Sequence, residues 1–254
     1  MNDWISNIPN LPALSKGSHT EDSQEMCAME LVAFMERLPH SDSPTCTCPV
    51  LASYVRELND RMPNDQRQDL KQVLPMLVGT TNPSLVQARA EYFAMQAVTK
   101  IVPLALVGII DQALIDDMRT AENLEDAARA SYAARDAADV YIKVVAARDT
   151  TTDVASYIAY AAANYITRAE YATNAANLAA FAGDAARDAK GCLALATAVE
   201  GAADAAEGAA YAAHADTDAW TLAIQVLIEA IELDPEIKPV QWSSKRIADA
   251  VSIA

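Results

Sequence analysis

Alanine, the best helix former, fills 53 of the 254 positions, and in the second half of the chain it comes in pairs at helical intervals. Pairs open at Ala127, Ala133, Ala137, Ala161, Ala175, Ala185, Ala205 and Ala212, with many spacings of three, four or seven residues. Such spacing lines one helix face with methyl groups and lets neighbouring axes approach toward the short end of the usual range of about 8–10 Å. Alanine is depleted from sheets, and no hairpin dipeptide sits between alternating runs. The chain is therefore predicted to be all-α. With only 3 Phe and 3 Trp, its core has to come from many close helix contacts instead of a few large rings. Tyrosines 132, 141, 157, 160, 165, 171 and 211 are expected to bury their rings while their hydroxyls reach solvent or a carbonyl.

Stop and cap signals divide the alanine-rich part into long helices at Thr150–Asp153, Gly183-Asp184, Gly201 and Asp216–Asp218. Asp234-Pro235 ends the last of them, and Lys238-Pro239 leads to a short terminal helix from Gln241 to about Val251. The front of the chain is mixed in composition. Trp4, Ile5, Ile8, Leu11 and Leu14 lie around two prolines, which suits an extended arm laid over a core. Asp22-x-x-Glu25 reads as a capping box for a first helix with Cys27, Leu31, Phe34 and Leu38 on one stripe. Pro49 opens a second helix that buries Leu51, Val55, Leu58 and Met62. Pro63-Asn64-Asp65 starts a third, broken at Pro75 and closed by Gly79. Thr81-Asn82-Pro83 opens a fourth, running to about Lys100, and Pro103 begins another. The expected organisation is a compact N-terminal helical module, residues 1–82, packed on a bundle of long alanine-rich helices, residues 83–254. One continuous fold is expected, because no Gly/Ser-rich or proline-rich linker separates the two.

The chain carries 19 basic and 35 acidic residues, a formal charge of -16 that repels nucleic-acid backbones and anionic membranes. Most of the excess lies beyond Ile110, with 11 basic against 23 acidic residues. The opening MNDWISNIPN lacks a cationic segment followed by an apolar run, and Ile101–Ile110 is too short and too proline-broken to span a bilayer. A cytoplasmic protein that contacts neither nucleic acid nor membrane is expected, with its four cysteines reduced.

Two of three histidines and three of four cysteines lie between His19 and Cys48, beside Glu30 and Asp42. Four readings of this cluster stay open. His19, Cys27, His40, Cys46 and Cys48 offer ligands for a tetrahedral zinc, although C-x-x-C spacing is lacking. Cys27, near a helix start where the macrodipole lowers a thiol pKa, would be a nucleophile with His19 or His40 as base and Asp42 or Glu30 orienting it. In a purely structural reading, His19 and Asp42 cap helices, Ser41 and Ser43 shape a turn, and the cysteines pack. Finally, Ser18, His19, Ser41 and Asp42 lie on two loops flanking the first helix, and those loops would meet to form a polar pocket for a small ligand. Ser18, His19, Cys27, Glu30, His40, Ser41 and Asp42 are thus the candidate ligand-binding residues. Cys192, His214, Asp216 and Asp218 carry less, since helix capping explains the acids, and Asp116-Asp117 reads as solvated. There is no Walker loop, G-x-G-x-x-G, G-x-S-x-G, H-E-x-x-H or EF-hand.

The runs L-S-K-G-S-H (Leu14–His19), M-C-x-M-E (Met26–Glu30), P-H-S-D-x-P-x-C-x-C-P-V (Pro39–Val50), L-N-D (Leu58–Asp60) and L-V-G-T (Leu77–Thr80) resemble a module of bacterial and bacteriophage proteins that has no assigned activity. The likeness covers the first third of the chain and implies a phage or mobile-element setting without naming a reaction. The alanine-rich remainder is similar to many low-complexity helical proteins.

Between Asp184 and Asp234 about ten acids face two bases, Arg187 and Lys190, so one helical face is strongly negative. The expected function is a non-enzymatic helical binding protein that contacts a basic host partner through that face, with no cofactor. The alternative is a small-ligand or zinc-binding protein, or a Cys/His-dependent enzyme, built on the His19, Cys27, Glu30, His40 and Asp42 neighbourhood.

Overall fold

The computed structural model describes residues 10–148, 203–204, 206–207 and 219–253. Every regular element among them is helical: α1 (Ala28–Met35), α2 (Pro49–Arg61), α3 (Asn64–Arg67), α4 (Leu74–Leu77), α5 (Val86–Gln96), α6 (Val102–Leu106), α7 (Gln112–Arg119), α8 (Leu124–Arg148), α9 (Ala219–Ile231) and α10 (Ser244–Ile253). Short 3-10 turns at Gln68–Gln72 and Pro83–Leu85 and a π-helical turn at Ala97–Ile101 complete the set. Trp4, Ile5, Ile8, Cys192, His214, Asp216 and Asp218 lie outside the described residues, as do tyrosines 157, 160, 165, 171 and 211 and most of the helices expected between Thr150 and Asp218. The chain divides into two compact units: one formed by the residues up to Arg89 together with those from Leu227 onward, the other by Ala90–Val226. The residues from Leu227, which the sequence groups with the alanine-rich part, thus share a unit with α1 to α4.

In the first unit, the N-cap of α1 lies five residues after the expected one, Asp22. Cys27 is the N-cap: its sulfur accepts the Glu30 N–H at 3.5 Å, and the Glu30 carboxylate accepts the Cys27 N–H at 2.7 Å. The Asp22–Glu25 box is thereby corrected. A thiol takes the place of the usual hydroxyl and the carboxylate returns the bond, so the reciprocal pairing survives on residues three apart. At the other end, Leu38 N–H reaches Ala33 O at 2.9 Å and Arg37 N–H reaches Phe34 O at 3.1 Å, a Schellman closure with Arg37 in the left-handed region at φ 58°. Helix α2 starts on Pro49, as predicted, and buries Leu51, Val55, Leu58 and Met62. Its N-terminus is held from Thr80, whose hydroxyl accepts the Cys48 N–H at 2.9 Å and donates to Leu77 O at 2.7 Å.

The expected extended arm packs through its backbone. The Gln68 amide pairs with both Leu14 groups, accepting the N–H at 2.9 Å and donating to the carbonyl at 3.0 Å. Asn59 Nδ2 donates to Ser15 O at 2.9 Å, Asp60 Oδ1 accepts the Gly17 N–H at 2.8 Å, and Lys71 Nζ donates to Leu11 O at 3.1 Å. An arm without a sheet partner has to find such bonds, because a buried peptide group left unpaired costs as much as a lost hydrogen bond. Gly17, at φ 87°, makes the turn that most side chains resist. The returning C-terminus packs α10 on α1. Arg246 stacks over the Phe34 ring at 4.1 Å and donates to the Phe34 and Met35 carbonyls, placing a cation at the negative end of α1. Trp242 Nε1 donates to Glu36 Oε1 at 2.7 Å.

In the second unit, α8 buries Ala127, Ala130, Ala134 and Ala138 and exposes Tyr132 and Asp136, so the methyl stripe takes the predicted inward face. It packs against α7 and the π-helical turn. Asp111 caps α7 by accepting the Ala113 N–H at 2.8 Å; Ile115 and Met118 point inward, while Asp116 and Asp117 are exposed, as expected.

Two substitutions probe the first unit. Asn59 is fully buried and also accepts the Ala28 N–H at 3.2 Å, so Asn59→Ala strands an N–H and a carbonyl and should cost about 2–3 kcal/mol in urea unfolding, with an unchanged m-value. Arg37→Gly removes the left-handed strain and should raise stability by about 0.5–1 kcal/mol; a loss would show that the arginine side chain outweighs the strain.

Candidate functional site

Glu30 is the only acidic residue of α1, and its side chain is 1% exposed. Its two carboxylate oxygens are shared out among groups that precede the helix. Oε1 accepts the His19 N–H at 2.6 Å, and Oε2 accepts the Cys27 N–H at 2.7 Å and His19 Nδ1–H at 2.8 Å. Burial alone raises a carboxyl's pKa; here the bonds from His19 and Cys27 outweigh it and hold Glu30 below its ordinary value. A carboxylate can only accept, so Nδ1 of His19 carries the proton and its outward nitrogen is Nε2. That nitrogen faces Glu25 Oε2 at 3.6 Å.

The loop after α1 closes onto the same group. His40 Nε2 donates to His19 O at 2.8 Å and stands 3.6 Å from Glu30 Oε1. The bond ties residue 40 to residue 19 across the helix between them. Beside this tie lies a pocket of about 280 Å³, lined by Thr20, Glu21, Ser23, Glu25 and Met26 from the first loop, Phe34 from α1, and Leu38 and His40 from the second. Met26 is buried and Phe34 and Leu38 are half-buried, while Thr20, Glu21 and Glu25 are exposed, which makes an apolar floor under a polar rim. The left-handed turn at Arg37 is what sends Leu38 and His40 back along the helix into that wall.

The sequence candidates separate into two groups. His19, Cys27, Glu30 and His40 come together as expected. Ser18 is exposed and does not line the pocket, and Ser41 accepts the Ser43 N–H at 3.0 Å, shaping the turn. Asp42 gives its backbone carbonyl to Arg56 at 3.0 Å. Cys46 and Cys48 belong to the Thr80 side, where Gly79 N–H reaches Cys46 O at 2.8 Å and Cys48 caps α2. Among the described residues, no group of three or more His, Cys, Asp and Glu is arranged to hold a metal ion. The expectation of a thiol lowered by the helix start is corrected. Cys27 is 3% exposed, and burial pushes its thiol up to about 12 despite the Glu30 N–H its sulfur accepts, so at neutral pH it is a protonated cap. Burial also raises Cys46. Of the pocket's lining residues sequence reasoning named only His40 and missed Thr20, Glu21, Ser23, Glu25, Met26, Phe34 and Leu38; their signal was only position, on or beside the two loops it singled out.

No family model, curated protein or solved structure matches this chain.

Glu30 sets an acid limit on stability. Its folded-state pKa lies below that of the unfolded chain, so the ionised form stabilises the fold above the unfolded value, near 4.5, and that contribution disappears as pH falls through the lower, folded value. Glu30→Gln should flatten this acid limb of a stability–pH curve. At neutral pH it should cost about 2–4 kcal/mol, because an amide cannot accept from all three donors. An unchanged acid limb would place the pH dependence elsewhere.

Proposed function

We propose that this protein is a non-enzymatic binding protein whose site is the pocket between the loops that flank α1. The observation that carries the reading is the mutual locking of those loops through His40, His19 and Glu30, which holds open a cavity of about 280 Å³ with an apolar floor and a polar rim. That volume falls just below the range of about 300–1,000 Å³ usual for ligand sites, so the ligand is small. Pre-formed walls favour binding, since little ordering has to accompany it.

The chemistry of the neighbouring groups favours binding over catalysis. The Glu30–His19 pair orients an imidazole as acid–base pairs do, but the outward nitrogen meets the Glu25 carboxylate, and the nearby thiol is protonated and enclosed. The pocket rim shares the sign of the whole chain, 35 acidic against 19 basic residues, so the rim and the net charge alike favour cationic partners, in keeping with a binding role against a basic host partner.

The reading is tested by ligand-observed NMR of the full chain against a set of small neutral and charged fragments, compared with Leu38→Trp, which fills the cavity from a half-buried position. Fragments should bind the unsubstituted protein and lose that binding in Leu38→Trp, with unfolding free energy changed by no more than about 1 kcal/mol. Fragments that bind both proteins equally, or neither, defeat it.

A further inference from the structure

The geometry points to an aliphatic monocation as the ligand of this pocket: an ammonium group at the rim, between Glu21 and Glu25, with a short alkyl stem lying on Met26, Phe34 and Leu38. The inference rests on the reading of the pocket as a ligand site and adds the class of molecule that fits it.

Three observations carry it together. First, the charged side chains in the wall are both carboxylates, Glu21 and Glu25, and no lysine or arginine lines the pocket. Second, Arg246, beside the lining residues, and His40, one of them, spend their donors elsewhere, while His19 Nε2 stands 3.6 Å from Glu25 Oε2. Arg246 spends its guanidinium on the Phe34 ring and the Phe34 and Met35 carbonyls, and His40 gives its Nε2 proton to His19 O. Glu30, close behind His40 at 3.6 Å, adds a third negative charge beneath the rim. Third, the floor is a row of flexible or flat apolar groups, a thioether, a ring and an isobutyl, that gains by covering methylene groups but offers no donor to an anion. A neutral polar ligand would use the floor but give the carboxylates only a hydrogen bond from an uncharged donor, without the Coulomb attraction an ammonium adds. An anion would be repelled by them.

The rim carboxylates are exposed, so charge selectivity is modest; a solvated ion pair changes affinity by only about twofold to fivefold. The apolar stem supplies the rest, at about 0.8 kcal/mol per buried methylene, which is about fourfold in affinity. The same chemistry occurs in free alkylamines and in the lysine side chain of a partner protein.

Chemical-shift titration of the full chain with n-butylammonium, n-butanol and n-butyrate separates charge from shape, since the three share a four-carbon frame. Expected is the order n-butylammonium over n-butanol over n-butyrate, with the first about fivefold tighter than the second. Glu25→Gln should bring n-butylammonium close to n-butanol, and about 1 M NaCl, which screens charge within about 3 Å, should do the same. An additional arm with Nα-acetyl-lysine methylamide assigns the source: tighter binding than n-butylammonium points to a partner's lysine, weaker binding to a free amine. If n-butanol or n-butyrate binds as well as n-butylammonium, the pocket stands as a site and the cation assignment is overturned. If none of the four shifts the pocket resonances, the pocket reading falls and this inference with it.

Discussion

A carboxylate taken out of water has to be met by donors, and Glu30 is the group on which the front of this molecule is organised. Removing an ionised carboxylate from solvent costs several kcal/mol unless its lone pairs are satisfied, and α1 alone can offer only the N–H groups of its own first turn. One of these, from Cys27, is used. The other donors come from His19, through backbone and ring, which forces the preceding loop to fold back over the helix start. Once His19 is fixed, its carbonyl is left pointing outward, and His40 fills that vacancy from the far side of the helix. The pocket is therefore a consequence of a charge that needed partners: two loops had to come together at one place, and they meet without filling the space between them.

The same logic runs through the arm. Residues 11–17 lack a strand partner beyond a single bridge between Leu14 and Met26, so their peptide groups are met by Asn59, Asp60, Gln68 and Lys71. Asn59 also caps the beginning of α1 through Ala28, which makes one amide the junction of arm, α1 and α2. The runs Leu14–His19, Met26–Glu30, Pro39–Val50, Leu58–Asp60 and Leu77–Thr80 bond to one another: Gly17 to Asp60, Ser15 to Asn59, His19 to Glu30 and His40, and Cys46 and Cys48 to Gly79 and Thr80. Residues far apart in the chain, polar and small, meet there and complete one another's hydrogen bonding.

What could be read from the chain followed from local rules. Helix identity, the Pro49 start of α2 and the alanine stripe of α8 are written within windows of four to eleven residues, and they hold, whereas the helix expected from Pro103 through Leu114 stops at Leu106 and restarts at Gln112 behind the Asp111 cap. The approach of His19, Cys27, Glu30 and His40 holds too, because a short helix brings the loops on either side within reach of one another. The capping box was misplaced because two patterns ending in glutamate, Asp22–Glu25 and Cys27–Glu30, follow one another at the start of α1, and the one that wins does so through a cysteine, an uncommon cap. Cys46, Cys48 and Asp42 were grouped with the site by their proximity in sequence, whereas α2 carries Cys48 toward Thr80, thirty-two residues on. The return of α10 onto α1 had no local signal at all; Arg246 reaches Phe34 across 212 residues.

That last contact bears on why the pocket stays open. A surface hollow floored by leucine, phenylalanine and methionine normally collapses, since unfilled apolar space forfeits contacts on every side. Here the two side chains that would have to move are restrained from behind. Leu38 hangs from a backbone fixed by its bond to Ala33 O and by the left-handed turn at Arg37, a conformation that cannot be shifted without undoing the end of α1. Phe34 is pinned by the Arg246 guanidinium stacked on its ring, a charge that in turn is held by two carbonyls of the same helix end. Closing the cavity would mean breaking one of these arrangements to gain a few methylene contacts at about 0.1–0.2 kcal/mol per atom pair, whereas a ligand stem supplies the same contacts with both left intact.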